Sequence, residues 1–146
     1  MKLYLMRHGQ AASPQVDPQR GLTSVGRAEI EQLAQRLLEQ DIQLGQILHS
    51  EKARAQQTAE IMARILAPQV IPQVHKGLKP DDEPGELLPE IESWQQDTLV
   101  ASHLPFVPVL LAELTGQSLG MTLVPGTIVC LQKGSDGWQL EWSESP

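Results

Sequence analysis

The chain has 146 residues, the length of one domain, so we expect residues 1–146 to fold as a single domain with a sizeable core. Hydrophobic residues make up 40% of the sequence and charged residues 20%, which predicts a globular protein rather than a disordered one. The formal net charge of −7 argues against nucleic acid as a partner and against electrostatic docking on an anionic membrane.

Predicted strands and helices alternate along the chain. Short apolar runs indicate strands, and apolar residues three or four positions apart indicate helices. In chain order, we expect a strand over 2–6, a helix over 23–38, a strand over 46–49, a helix over 51–66, a strand over 70–74, a loop over 77–89 that leads into a short helix over 87–95, a strand over 98–102, a helix over 104–115, and strands over 121–124, 127–131 and 138–142. This order predicts an α/β fold, a three-layer αβα sandwich with a mostly parallel central sheet and an antiparallel edge.

Local signals predict where several of these elements end. Thr23 or Ser24 can cap the first helix, and Ser50 can cap the second. Pro72 places the third strand at an edge of the sheet, because proline cannot donate to a strand ladder. Gly116 is the expected stop of the helix over 104–115.

The last predicted strands carry the single cysteine and two of the tryptophans. Cys130 lies in an apolar run, so we expect a buried, inert thiol, and one cysteine excludes an internal disulfide. Trp138 and Trp142 are expected on the same face of the last strand. They would serve as packing residues or, if exposed, as a docking surface.

Arginine and histidine side chains follow three of the predicted parallel strands. Arg7 and His8 follow the first strand, Arg54 lies in the first turn of the helix after the second, and His103 follows the strand over 98–102. Because ligands of an open α/β sheet bind beyond the carboxyl ends of its strands, we expect these side chains to converge.

The convergence predicts a site for phosphoryl transfer. Guanidinium groups match phosphate oxygens, the helix N-termini expected at Ser50 and His103 add N–H groups, and a neutral histidine can act as the nucleophile. Gly9 would let the backbone pass close to the bound group. Taken singly, Arg54 could be a solvated helix residue and His103 a helix cap; their joint placement favours the site. His49 is interpreted as structural and His75 as a surface residue, and no histidine spacing resembles a metal-ligand pair.

Four sequence blocks carry a family resemblance. Residues 5–9 read Leu-Met-Arg-His-Gly, residues 22–26 read Leu-Thr-Ser-Val-Gly, residues 50–59 match Ser-x-x-x-Arg-Ala-x-Gln-Thr-Ala, and residues 102–105 read Ser-His-Leu-Pro. In this order they resemble the histidine phosphatase superfamily, also called the phosphoglycerate mutase-like family, over residues 3 to about 112. The short length and the Ser-His-Leu-Pro block are most similar to the SixA branch, the small phosphohistidine phosphatases.

The resemblance implies a role for each site residue. His8 would attack phosphorus and become phosphorylated, and Arg7, Arg54 and His103 would hold the phosphoryl oxygens. Water would then hydrolyse the phosphoenzyme. The resemblance implies no metal and no organic cofactor.

The sequence departs from the family in its acidic groups. Gln10 stands where many members have an acidic residue, and no inserted segment supplies a general acid. Asp81, Asp82 and Glu83 could serve, although such a run is typical of a solvated loop. An alkoxide leaving group needs protonation more than an imidazole does, so the missing acid favours cleavage of a P–N bond.

We therefore expect a phosphohistidine phosphatase whose partner is a phosphorylated protein such as a histidine phosphotransfer domain. The alternatives are a phosphomonoesterase for small esters and a non-catalytic phosphate-binding module, while a mutase would need longer substrate-enclosing insertions. The sequence shows no apolar run that could span a bilayer and no secretory signal, so the expected location is the cytoplasm. The oligomeric state is left open, with a monomer as the default.

Overall fold

The computed structural model describes residues 1–146. Strands and helices alternate as far as α4, and two further strands follow. The elements are β1 (Lys2–Arg7), α1 (Ser24–Leu37), β2 (Gln46–His49), α2 (Ala53–Leu66), β3 (Gln73–Val74), α3 (Leu88–Ser93), β4 (Thr98–Ser102), α4 (Phe106–Thr115), β5 (Ile128–Gly134) and β6 (Gly137–Glu144), with 3₁₀ turns at Leu38–Gln40 and Pro84–Leu87. None of the helices combines the length and the apolar character that a membrane span requires.

All six strands belong to one sheet, in the order β3-β2-β4-β1-β5-β6. The first four strands in this order pair in parallel. Strand β5 pairs antiparallel with β1 on one side and with β6 on the other. Strand β1 is central, between β4 and β5, and its last residue Arg7 lies opposite Ser102 at the end of β4. The mostly parallel sheet with an antiparallel edge is confirmed.

Helices cover both faces of the sheet. Residues of α1 and α2 pack with Tyr4 and Met6 in one buried core, and residues of α4 pack with Leu3 and Leu5 in the other. Alternate residues of β1 therefore point into opposite cores, which explains why its apolar run has no polar alternation. Each fully buried Leu or Met side chain contributes about 1.5–3 kcal/mol. The predicted three-layer αβα sandwich is confirmed.

The structure confirms several of the predicted helix and strand ends. Thr23 caps α1, since its hydroxyl accepts a hydrogen bond from the Gly26 N–H at 2.9 Å. Gly116 ends α4 in the left-handed conformation, with φ at 75°. Strand β3 lies at an edge of the sheet, although it is shorter than predicted and starts only after Pro72. The thiol of Cys130 is buried, and burial raises its pKa to about 11.

Three predicted helices have different bounds. Helix α2 begins at Ala53 with Lys52 as its N-cap, so Ser50 lies before the helix and is not its cap. Helix α4 begins at Phe106 after Pro105, which places His103 in the connection from β4 rather than in the helix. The helix predicted over 87–95 is a 3₁₀ turn followed by the six-residue α3.

The strand predicted over 121–124 is wrong. This segment is a loop that covers the end of β1: Leu123 is buried, and its carbonyl oxygen accepts a hydrogen bond from Arg7. Gly126 then turns the chain at φ 88°, and its N–H donates to the carbonyl oxygens of Arg7 and His8. The apolar Leu123 is thus buried without strand pairing.

The prediction that the two late tryptophans share a face is also wrong. Cys130 pairs with Trp142, whereas Leu131 pairs with Leu140, so a bulge inserts one extra residue in β6. The bulge turns Trp142 toward the α1–α2 side, where its ring lies 6.0 Å from that of Tyr4. Trp138 is buried in the opposite core, so both are packing residues.

Candidate active site

Two histidines meet at the carboxyl ends of the central strands. The backbone N–H of His8, just beyond β1, donates to the carbonyl oxygen of Ser102 at 2.9 Å. His103 follows Ser102 directly, and the centroids of the two imidazole rings lie 5.1 Å apart at an interplanar angle of 59°. Parallel pairing of β1 with β4 thus brings together two histidines that are remote in the sequence.

The His8 ring is held in one tautomer. Its Nδ1 lies 2.7 Å from the carbonyl oxygen of Gly9, and a carbonyl oxygen can only accept, so Nδ1 carries the hydrogen. Burial, together with the charges of Arg54, Arg7 and Arg20, lowers the pKa of His8 to about 4. At neutral pH, His8 therefore keeps a lone pair on Nε2.

Arg7 is fixed from two sides. Its Nη1 donates to the carbonyl oxygen of Leu123 at 2.8 Å, and its backbone N–H donates to the carbonyl oxygen of Thr127. Burial lowers the pKa of the guanidinium from its usual value, and the Nε atom is buried without a hydrogen-bond partner. Part of this donor fork therefore remains free for a ligand.

Arg54 lies in the first turn of α2, and a threonine ties this turn to the His8 loop. The hydroxyl of Thr58 donates to the Arg54 carbonyl oxygen at 2.8 Å and accepts from the Gly9 N–H at 3.0 Å. The Nε of Arg54 is also buried and unpartnered. Neither Arg7 nor Arg54 takes part in any of the five ion pairs of the structure, so their charges are not compensated within the protein.

His103 is 1% exposed and faces a serine. Its Nε2 lies 2.6 Å from the Ser50 hydroxyl, while its Nδ1 is buried without a partner. Burial, followed by the influence of His8 and of the cations Arg54, Lys52 and Arg20, lowers the pKa of His103 to about 3. Like His8, it is neutral at physiological pH.

Three residues close to His103 are not predicted from the sequence. Ser50 is expected there only as a helix cap, and nothing in the sequence marks Arg20 and Lys52, whose charges act on His103. Arg20 adopts a left-handed backbone conformation at φ 52°, and its Nε donates to the Ala12 carbonyl oxygen at 3.0 Å. The position of Arg20 depends on the fold of a polar loop, which no periodicity in the sequence reports.

The other histidines and the acidic residues considered from the sequence form no hydrogen bond with His8 or His103. His49 is buried at the end of β2, with Nδ1 2.8 Å from the Ser50 carbonyl oxygen. His75, expected on the surface, is only partly exposed and pairs with Glu90 at 2.6 Å. Asp82 accepts a hydrogen bond from the Lys79 N–H at 2.9 Å, and its neighbours, Asp81 and Glu83, are exposed.

The arrangement suits a tetrahedral dianion. Two uncompensated guanidinium groups can bind its oxygens, and the neutral Nε2 of His8 can approach its central atom. No group of three or more His, Cys, Asp or Glu side chains is placed so that it could hold a metal ion.

Comparisons with known proteins agree with this chemistry. The model of the histidine phosphatase superfamily (branch 1) matches residues 3–79. The phosphohistidine phosphatase SixA of Escherichia coli strain K12 is 30% identical over 153 aligned positions, covering 100% of this chain and 94% of SixA. An uncharacterized protein of Picosynechococcus sp. is 40% identical over 99 residues, which are 65% of this chain and 59% of that protein.

A solved structure shows the same relationship in three dimensions. The structure of the protein histidine phosphatase SixA complexed with tungstate superposes with a TM-score of 0.88 at 29% identity, covering 99% of this chain and 97% of that one. Family model, sequence relative and structure point to the same group of proteins. The chain belongs to the histidine phosphatase superfamily, in which it is similar to SixA, and it is a phosphatase.

Proposed function

We propose that this protein is a phosphohistidine phosphatase that removes the phosphoryl group from a cytoplasmic signalling protein such as a histidine phosphotransfer domain, with residues 1–146 acting as one domain. The main support for this proposal is a pair of half-buried, uncompensated guanidinium groups, those of Arg7 and Arg54, beside the neutral His8. Two positive charges around a neutral nucleophile complement a phosphoryl dianion. The monomeric state expected from the sequence remains a prediction.

The proposed reaction has two displacements at phosphorus. The lone pair on Nε2 of His8 forms a bond to phosphorus, and the P–N bond of the substrate breaks with its electron pair left on the substrate ring. That ring carries a hydrogen on its other nitrogen, so it leaves as a neutral imidazole. Arg7, Arg54 and His103 hold the phosphoryl oxygens during this step. Water then attacks phosphorus, the bond to His8 breaks, and inorganic phosphate leaves, which restores the neutral imidazole.

The surroundings of the site support a P–N bond rather than an ester as the preferred target. The charges that act most on His8 are those of Arg54, Arg7 and Arg20, all of which are cationic. The Asp82 carboxylate, a candidate proton donor, is engaged by the backbone of its own loop. An alkoxide benefits strongly from a general acid, whereas an imidazole leaves more readily near neutral pH.

The similarity to SixA supports a protein substrate. The phosphohistidine phosphatase SixA is 30% identical to this chain, and the alignment covers 94% of its length. The connection between β3 and β4 contributes Leu78, Leu87 and Ile91 to the core that also contains residues of α4. A phosphohistidine side chain carried on another protein is therefore the substrate class that we propose.

The experiment is a comparison of kcat/KM on a phosphorylated histidine phosphotransfer domain and on a panel of small phosphate esters. We expect a preference of at least about a hundredfold for the phosphohistidine protein, with turnover lost in His8→Ala and kept in the control His75→Ala. Preference for an ester would overturn the substrate and direct attention to Asp81, Asp82 and Glu83 as the acid. Phosphate binding without turnover of either substrate would indicate a non-catalytic module.

A further inference from the structure

The hydroxyl of Ser50 connects a backbone donor to the second histidine of the site. Ser50 is fully buried, and its Oγ lies 2.6 Å from Nε2 of His103. The same Oγ accepts a hydrogen bond from the N–H of Lys52 at 3.2 Å. These two contacts are the hydrogen bonds that the hydroxyl makes.

The contacts determine which way the hydroxyl hydrogen points. The Lys52 N–H can only donate, so it occupies one acceptor position of Oγ. If His103 also donated to Oγ, the hydroxyl hydrogen of Ser50 would be buried without an acceptor, which is unfavourable. The favourable arrangement is therefore a hydrogen bond from the Ser50 hydroxyl to the lone pair of His103 Nε2.

This direction decides the tautomer of His103. A neutral imidazole that accepts at Nε2 carries its hydrogen on Nδ1. Nδ1 of His103 is buried and has no partner in the protein, so its N–H is available to an acceptor that arrives with the ligand. The lowered pKa of His103 agrees with a neutral ring of this kind.

We propose that Ser50 is a positioning residue that holds His103 in the Nδ1–H tautomer, so that this N–H donates to an oxygen of the bound phosphoryl group. The inference rests on the proposed function and adds to it a residue that does not touch the substrate. Ser50 is free for this role because α2 begins only at Ala53 and takes Lys52 as its N-cap.

The tautomer can be measured directly by ¹⁵N NMR of the histidine rings, where a protonated nitrogen and a lone-pair nitrogen have well-separated shifts. In the wild-type protein we expect His103 to show a hydrogen on Nδ1 and a lone pair on Nε2. A wild-type ring protonated at Nε2 would overturn the proposal. This measurement needs no substrate and remains decisive even if a Ser50 variant fails to fold.

Two serine variants then separate positioning from packing. Ser50→Ala removes the donor, and Ser102→Ala is the matched control, because Ser102 is also fully buried next to His103 but donates to the Leu78 carbonyl oxygen at 2.6 Å. We expect Ser50→Ala to shift the tautomer and to lower kcat/KM by about 10- to 100-fold, as for other residues that orient a histidine. Ser102→Ala should keep the wild-type tautomer.

Binding of inorganic phosphate and of tungstate supplies the third measurement. We expect Ser50→Ala to raise the Kd of both anions by about tenfold, and Ser102→Ala to change them by less than about threefold. An unchanged tautomer together with unchanged anion binding in Ser50→Ala would overturn the inference. Failure of the proposed function would give a different result. The protein would then not hydrolyse phosphohistidine, while the His103 tautomer and the effect of Ser50→Ala on anion binding would be as expected.

Discussion

The backbone N–H of Gly9 donates to the hydroxyl of Thr58 at 3.0 Å, and that hydroxyl donates in turn to the carbonyl oxygen of Arg54 at 2.8 Å. One buried side chain thereby fixes the loop after β1 relative to the first turn of α2. The proposed nucleophile and one of its arginines come from these two segments, so the hydroxyl of Thr58 links the parts of the backbone that carry them.

Replacing that hydroxyl should affect both stability and catalysis. Thr58→Val keeps the side-chain shape but leaves the Gly9 N–H buried and unsatisfied, which costs about 1–3 kcal/mol. We expect a lower free energy of unfolding and, because placement errors of about 1 Å can cost about a hundredfold, a lower kcat/KM. Thr58→Ser keeps the hydroxyl, and activity close to that of the wild type would show that the hydrogen bonds matter rather than the methyl group.

Loss of one guanidinium should remove transition-state stabilisation without unfolding the protein. Arg54→Gln is expected to lower kcat/KM by about 10²–10³, the scale of removing one preorganised donor. Arg64→Gln is the matched control on the same helix, because this arginine is exposed and pairs only with Glu31. Equal activities of the two variants in steady-state kinetics would exclude Arg54 from the site.

The two neutral histidines predict a loss of stability in acid. Burial lowers the pKa of His8 to about 4 and that of His103 to about 3, whereas both titrate near 6.5 in the unfolded chain. The unfolded state therefore binds more protons below about pH 6.5, so their contribution is complete above that pH and is lost as pH falls toward about 4 and 3. Urea unfolding at a series of pH values should show this slope.

The control for the acid effect is a chain without these imidazoles. His8→Gln combined with His103→Gln should flatten the stability profile between about pH 6.5 and about pH 4, because neither glutamine titrates. A slope that is the same in the double variant and in the wild type would assign the acid sensitivity to the carboxylates and contradict the neutral-histidine description.

Gly26 should be the glycine least tolerant of a side chain near the site. A Cβ on Gly26 would lie 2.2 Å from the backbone carbonyl oxygen of Gln10, which cannot move without shifting the loop that carries His8. A Cβ on Gly9 would instead meet a side-chain atom, Cγ1 of the buried Ile30, at 2.8 Å and not backbone. We expect Gly26→Ala to lower the free energy of unfolding by more than about 3 kcal/mol and Gly9→Ala by less, measured by thermal unfolding.

Sequence periodicity is sufficient to predict the layers and the sheet edge that carries the site. Apolar runs such as 2–6 and 98–102 mark buried parallel strands, and the residues after them must meet at one edge because of parallel pairing. The strand pattern alone therefore predicts that His8 and His103 lie at the same edge of the sheet, and the observed pairing of β1 with β4 makes them neighbours. The roles assigned to the four site residues remain predictions that the experiments above address.

The missed features depend on single hydrogen bonds and on local backbone irregularity. Serine is a common N-cap, so a serine just before a predicted helix is interpreted as its cap. In the structure α2 begins later, at Ala53, and the Ser50 hydroxyl contacts His103 instead. The bulge that turns Trp142 to the other face adds one residue without any compositional mark. The sequence over 121–124 is apolar like that of a strand, but Leu123 is apolar because it is buried in a loop near the end of β1.

The central claim is that a phosphoryl group passes from a phosphohistidine protein to His8. The most direct test mixes a ³²P-phosphorylated histidine phosphotransfer domain with the enzyme, stops the reaction within milliseconds, and maps the label. We predict an acid-labile, base-stable phosphoenzyme whose label lies on the peptide that contains His8, and no label in His8→Ala. Release of phosphate without a labelled enzyme, or label on another residue such as His103, would contradict this account.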